Sequence, residues 1–485
     1  MTEELLLQVG SSVTGVGVAV LLILTRRYVR LAGLIFASFG MVLMFLGLLP
    51  EGYLKGAVIL AIAGACLVGA FAVMFRRWPW LLVFLALAAV PARIPFTIGE
   101  TEASLLVPLY VVIASGVVAF GWSLIRGDLE SHELGLLKWP VGITVAWFGI
   151  SAIWASDVNA ASVQVLFFFF PFALLALLVS RLPWRQLSLR TLFIQLLGMS
   201  VLFAGVGIYQ WVARDTFWNP KVEVGNIFQS YFRVNSLFWD PSVYGRFLVV
   251  ALVAILVVLL TRLESRTTIW VVATAAVTWV GLFFSYSQSS FIALIVAAIG
   301  IALIAWGWRA LVAVALILAI LAPLVVFAPP FEGARTAIVE NPNRATGGRF
   351  EQMKSGVQVA RKNLVIGAGV GSYLEELADQ EGRLQVSAKD ALHATPVAVV
   401  AEGGLVGFIF YLWFIATPIL VALRVKLVSN LVQNTALISA FTLVAIVVHS
   451  FFYNAFFQDP IMWITLGLVA LTLTKMSSER QAASP

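Results

Sequence analysis

Residues Ala391 to Gly407 read ALHATPVAVVAEGGLVG. The stretch holds one histidine (His393), one carboxylate (Glu402) and a glycine pair (Gly403, Gly404). The longest polar segment of the chain, 329–390, ends just before it, and an apolar run of spanning length begins inside it. About 20 apolar residues cross a bilayer core as a helix, so the chain returns to an apolar phase here. An imidazole and a carboxylate at that boundary are candidates for acid–base work near neutral pH.

Composition sets the class. Of 485 residues, 61% are hydrophobic and only 11% charged, with a mean hydropathy of +0.98. Soluble domains carry about 25% charged residues, so the chain is expected to be an all-α polytopic membrane protein. The sole cysteine, Cys66, excludes an internal disulfide framework and a thiolate metal site. It lies in an apolar run and reads as a buried small residue. The first residues, MTEE, are acidic, and no cleavable signal peptide is expected. The net charge of +7 is expected to reflect cytoplasmic loops, with no nucleic-acid partner.

Apolar windows give about fifteen candidate spans, the first near 5–25 and the last near 460–474, or about 12–15 transmembrane helices in all. The window 79–95 is the weakest, because it runs into Pro91, Arg93 and Pro95. With the N-terminus outside, every loop that falls inside carries Arg or Lys, from Arg26 and Arg27 through Arg76, Arg126, Arg181 and Arg262 to Lys475. The short outside turns near 156–159, 286–288 and 453–459 carry none, as the positive-inside bias requires. We divide the chain into N-terminal spans (1–213), a core with an outer aromatic loop (214–328), a long extracytoplasmic loop (329–403) and C-terminal spans with a short tail (404–485).

The outside segments hold the chemistry. Loop 214–246 is rich in aromatics, including Trp218, Phe228 and Trp239, and adds Asn226, Gln229 and Asp240. Aromatic residues gather at membrane interfaces, and they also stack on sugar rings. Arg233 and Arg246 in this loop suit bidentate phosphate contact. Pairing with Asp240 is the structural reading for either one. Lys55 and Arg93 read as scattered cations. In the long loop, 349–361 places Phe350, Met353, Val357 and Ala360 at helical spacing, an amphipathic pattern that suits the membrane surface. Asn341, Pro342 and Asn343 mark a turn before it. The run GAGVGS, Gly367–Ser372, follows no strand and reads as a tight turn or a backbone close to a ligand, not a nucleotide loop. Of the other histidines, His132 reads as solvated and His449 as a polar residue near the outer end of its span. No HExxH spacing or nucleophilic-serine motif accompanies them.

Four places together resemble the O-antigen ligase and O-antigen polymerase superfamily of membrane glycosyltransferases. They are RVNSLFWDPSVY from Arg233, SYSQSS from Ser285, Gly348-Arg349 followed by NLVIGAGVGSY, and HATPVAVVAEGGLVG from His393. Ser290 stands where the family usually has Arg, and Ala394 where it has Asn after the histidine. The resemblance implies a GT-C-like helical fold with short amphipathic helices in the long loop. It implies transfer of a glycan from an undecaprenyl-diphosphate carrier to an acceptor hydroxyl, on the outer face of a bacterial plasma membrane, with no metal and no cofactor. By the same resemblance His393 is the general base, Glu402 a supporting acid, and Arg233 and Arg349 the diphosphate ligands. Arg246, Trp239 and Asp240 complete the candidate substrate site. The expected partners are the lipid-linked donor, a glycan or glycolipid acceptor and the bilayer. A transporter of bicarbonate or another small anion is the alternative reading, and ligase and polymerase are not separated.

Overall fold

The computed structural model describes residues 3–49, 54–98, 101–127, 134–217, 219–227, 231–260, 265–327, 348–382, 391–424 and 430–483. His132, Trp218, Phe228, Gln229, Arg262 and the turn at 341–343 lie outside them. The described chain is helical apart from one short hairpin. Helices suit these apolar runs because each satisfies its own backbone donors and acceptors where no water can.

In chain order the first helices are α1 (Glu3–Ile23), α2 (Arg27–Leu48), α3 (Leu54–Arg77) and α4 (Leu81–Ala88). The hairpin β1 (Ile94–Ile98) and β2 (Thr101–Leu105) leads to α5 (Val107–Arg126) and α6 (Lys138–Ser151). Helices α7 (Val158–Gln164) and α8 (Phe170–Ser180) join through one π-helical turn, and α9 (Gln186–Ala213) and α10 (Pro220–Ile227) follow. Then come α11 (Pro241–Leu260), α12 (Ser265–Ser285), α13 (Gln288–Trp306) and α14 (Trp308–Phe327). The last five are α15 (Arg349–Lys362), α16 (Tyr373–Glu381), α17 (Thr395–Leu423), α18 (Asn430–Ser450) and α19 (Pro460–Ala483).

Among the described residues, 12 helical segments are long and apolar enough to cross a membrane. Helices α3 and α14 fill two further positions read as spans. The bundle has an inside: 89% of the apolar window in Val158–Ser180 is buried, and 78% in Pro241–Leu260, against 22% in Arg27–Leu48. A knot of rings from Phe148, Phe169, Tyr411, Phe414, Phe456, Phe457 and Trp463 ties α6, the π-helical turn before α8, α17 and α19 together.

Helices α8 and α19 run side by side in the same direction. Gln458 Nε2 donates to Gln164 Oε1 at 3.2 Å at one end, and a Cβ on Gly467 would lie 2.6 Å from Val179 Cβ further along. The Gln164–Gln458 end and the Arg181 end are therefore opposite ends of the bundle.

Two expectations need correction. The continuous span read at 79–95 is helical only over Leu81–Ala88, then turns into β1, which pairs antiparallel with β2. Pro91 and Pro95 supply no amide donor, so the helix cannot continue. The segment still travels the length of the bundle. Trp80 Nε1 donates to Pro183 O at the arginine end (2.9 Å), and Arg93 Nη2 donates to Gln458 O at the other (3.0 Å). The alternation of direction read from the loops is thereby kept. The second correction is Cys66, which is exposed on α3. In a lipid-facing surface a small apolar side chain gains nothing by turning inward.

Candidate functional site

The stretch Ala391–Gly407 is a broken helix. Gly404 in α17 has φ 66° and ψ −169°, which separates a short arm, Thr395–Gly403, from the spanning arm beyond it. A break frees carbonyls on one side and amides on the other, and at membrane depth each needs a partner. The loop after α15 supplies four of these partners, and Trp147 Nε1 of α6 donates to Gly403 O at 3.1 Å. Ala368 N donates to Ala401 O and Gly369 N to Glu402 O, both at 2.9 Å, while Leu405 N donates to Leu364 O (2.8 Å) and Val406 N to Val365 O (3.2 Å). The backbones approach so closely that a Cβ on Gly367, itself at φ +75°, would lie 2.3 Å from Glu402 C and O. The glycine run is thus the plug of the broken helix, in keeping with its reading as a tight turn.

This packing decides what Glu402 touches. Its carboxylate accepts the backbone N–H groups of Gly371 and Tyr373. It also lines a cavity of about 50 Å³ with Gln164, Thr395, Asn454 and Gln458. His393, just ahead of the short arm, lays its ring parallel to that of Tyr453, with centroids 6.4 Å apart and planes 12° apart. Tyr453 lies between both outer histidines, since His449 approaches it to 5.7 Å.

Arg233 is held at three points. Asn226 on α10 clamps its backbone, accepting from Arg233 N (2.9 Å) and donating to Arg233 O (3.0 Å), and Arg233 Nε donates to Ser285 O at 3.1 Å. Stacking of Tyr231 on Tyr286, 4.6 Å between centroids, packs the loop onto the same turn. Arg349 opens α15 beside Arg233, Asp240 and Tyr231. Burial and the Arg233 guanidinium lower its pKa, which Asp240 partly offsets. Asp240 caps α11 by accepting from Ser242 N at 2.7 Å. Burial and the Asp240 carboxylate push the Tyr453 phenol well above its usual range, so it stays protonated and donates to Asp240. Trp239 is half-buried, and its carbonyl accepts from Asn219 Nδ2 at 2.7 Å.

Arg246 has a partner other than the Asp240 considered from sequence. Its Nε lies 2.8 Å from Asp459 Oδ2, with side-chain exposures of 3% and 2%. Its guanidinium carbon stands 5.9 Å from the Tyr453 ring. Arg93, read as a scattered cation, belongs to this group: it is within electrostatic reach of Tyr453, Arg246 and Asp459. Arg93 Nε and Arg246 Nη1 are buried without a hydrogen-bond partner. Arg93, Tyr453 and Asp459 are the members that sequence reasoning missed. The helix-breaking prolines near Arg93 and the short turn 453–459, with Asn454, Gln458 and Asp459 between two spans, were the only signals available.

The turn SYSQSS forms the floor. Ser287 Oγ lies 2.7 Å from Ser290 Oγ and 3.2 Å from Ser289 Oγ, and Ser289 Oγ lies 3.1 Å from His449 Nε2. Ser290 is fully buried, and a Cβ on Gly245 of α11 would lie 2.6 Å from its hydroxyl. No guanidinium fits against that backbone, and Arg246, the next residue of the same helix, brings a cation to this neighbourhood instead.

The helices thus bring Arg233, Arg349, Asp240, Tyr453 and, through Tyr453, His393, His449 and Arg246 to one end of the bundle, while Glu402 is engaged by the glycine loop. Four guanidiniums (Arg93, Arg233, Arg246, Arg349) meet two carboxylates (Asp240, Asp459), so among these described side chains the cluster has a surplus of positive charge. Fold and site define a multi-pass helical membrane protein with an anion-attracting, histidine-bearing centre at one end. The family model described as O-antigen ligase matches residues 273–412, and this match supports a relation to the O-antigen ligase/polymerase superfamily. The matched segment holds the serine turn, Arg349, the glycine loop, His393 and Glu402, whereas Arg233, Arg246, His449, Tyr453 and Asp459 lie outside it. No curated protein matches the chain.

Proposed function

We propose that the protein transfers a glycan from a polyprenyl-diphosphate carrier, of the undecaprenyl type, to an acceptor hydroxyl. The observation that carries this reading is the positive surplus around Arg233 and Arg349, next to a histidine, at one end of a membrane bundle. The acceptor hydroxyl gives its proton to the His393 imidazole and its oxygen attacks the anomeric carbon. The bond from that carbon to the diphosphate oxygen breaks, and the electron pair leaves with the lipid diphosphate. Guanidiniums already aimed at the leaving group stabilise the charge it gains without reorganising. Trp239 offers a sugar-stacking face, Arg246 holds the floor of the site through Asp459, and Glu402 supports the arm that carries His393.

Incubation of purified protein with a diphosphate-linked lipid glycan and an acceptor tests this, with His393→Ala alongside. Transfer by the wild type and its loss in the variant are expected; equal transfer by both removes His393 as base. The interruption of α17 at Gly404 favours small-anion transport as a second reading, since transporters build ion sites on broken helices. Bicarbonate uptake into vesicles that tracks the protein, with no glycan transfer, would establish that reading.

A further inference from the structure

The cavity of about 50 Å³ beside Glu402 adjoins the stacked rings of His393 and Tyr453. Thr395, two residues after His393, forms part of its wall, and so does Asn454, which follows Tyr453 in the chain. Thr395 is buried and Asn454 is exposed, so the cavity is a crevice that runs inward from the surface. A single water needs roughly 10–15 Å³ of such space. The crevice therefore holds a few hydroxyl-sized groups, about one edge of a sugar ring, and not a whole oligosaccharide. Its floor is aromatic, with Phe148, Phe169 and Phe457.

The polar groups of the wall are spent only in part on one another. Thr395 Oγ1 donates to Asn454 Oδ1 at 3.0 Å, and Gln458 Nε2 donates to Gln164 Oε1 at 3.2 Å. Among the described residues this leaves the amide N–H groups of Asn454 and Gln164 as donors, and Gln458 Oε1 and the Thr395 oxygen as acceptors. Glu402 adds acceptor capacity, since a carboxylate has about four lone-pair positions and two backbone N–H groups occupy part of them. A hydroxyl is donor and acceptor at once, so a mixed set of this kind matches a row of hydroxyls over an apolar ring face. The charge is wrong for a phosphate. No Lys or Arg lines the crevice among the described residues, and Glu402 is the charged group that does. Arg93 bonds the Gln458 carbonyl at 3.0 Å without lining the crevice. We propose that the crevice binds an uncharged sugar by its hydroxyl-bearing edge and, resting on the transfer reading above, that this sugar belongs to the acceptor. Guanidiniums then hold the anionic donor, neutral amides and one carboxylate hold the acceptor, and a phosphorylated or carboxylated sugar is turned away at the acceptor position.

The test is sugar binding in the absence of donor. The full-length protein in phosphatidylcholine nanodiscs is titrated with methyl β-D-glucoside, methyl β-D-galactoside and methyl N-acetyl-β-D-glucosaminide, each beside its 6-phosphate. Binding is read by saturation-transfer NMR against empty nanodiscs. At least one neutral glycoside is expected to show saturation, and its 6-phosphate is expected to bind more weakly. Gln164→Leu and Asn454→Leu each remove hydrogen bonds to the sugar and are expected to weaken binding roughly fivefold per bond. Asn454→Lys places a cation at the exposed mouth and is expected to improve binding of the 6-phosphate, a gain that misfolding cannot produce. No saturation from any neutral glycoside, equal binding of the 6-phosphates, or unchanged binding in both Leu variants would each overturn the proposal. Saturation that behaves as expected in a protein that transfers no glycan removes the transfer reading and leaves the sugar crevice standing. Glycan transfer whose acceptor KM is unmoved by Gln164→Leu and Asn454→Leu keeps the transfer reading and overturns the crevice as its acceptor site.

Discussion

Arg246 and Asp459 show how much single residues decide in this molecule. They form a 2.8 Å ion pair that is almost wholly buried. A buried pair contributes little over an apolar substitute, but loss of one partner strands the other, at a cost of about 3–5 kcal/mol. Asp459→Ala is therefore expected to lower the thermal midpoint in detergent sharply, while Asp459→Leu with Arg246→Met recovers most of it. At His393 the expectation is kinetic. Loss of a general base costs about 10²–10⁴-fold in rate, so His393→Gln should abolish most turnover and leave donor affinity intact. Arg349→Gln should instead weaken donor binding, read as a higher KM or a lost pull-down of the lipid diphosphate. His393, Arg233 and Arg349 were legible because each sits in a local motif. Arg93, Tyr453 and Asp459 were not, because each is an ordinary residue until distant helices bring it to the others.

At the scale of elements, the meeting of the glycine loop with α17 is the least forgiving contact. A methyl group at position 367 would overlap the Glu402 backbone, and the positive φ adds its own strain. Gly367→Ala is expected to destabilise the loop and α17 together, seen as faster amide exchange at Ala368, Gly369, Leu405 and Val406. The amphipathic reading of 349–361 holds for Phe350, Met353 and Val357, which are exposed, but Ala360 is buried with Gly356 and Val359 against the short arm. The helix is sandwiched, so two faces carry apolar residues and periodicity alone cannot tell which faces protein. Helix α16 is tied in by Glu376, which bonds Ser156 (2.6 Å) and Lys362 (2.9 Å). Burial raises the Glu376 pKa, but these two bonds outweigh it and hold the carboxyl below its unfolded value of 4.5. A depressed folded pKa gives stability that is present above 4.5 and lost as pH falls through the lower folded value. Exchange protection of α16 should therefore drop on acidification below pH 4.5, and Glu376→Gln should remove that pH dependence.

Across the whole molecule, the division into two chemically different ends is the property to test. In a Cys66→Ser background, cysteines at Asn159 and Arg185 are expected to react with an impermeant maleimide from opposite sides of sealed vesicles. Labelling of both from one side would contradict the alternation of spans. The chain by itself determined the membrane class and the place of most apolar helices along the sequence. These follow from local hydropathy and charge, which a lipid phase reads residue by residue. It could not determine the break in α4, the plug that seals α17, or which cation pairs with which anion. Those depend on backbone groups and side chains far apart in the sequence that share one low-dielectric space, and only the packed bundle creates that space.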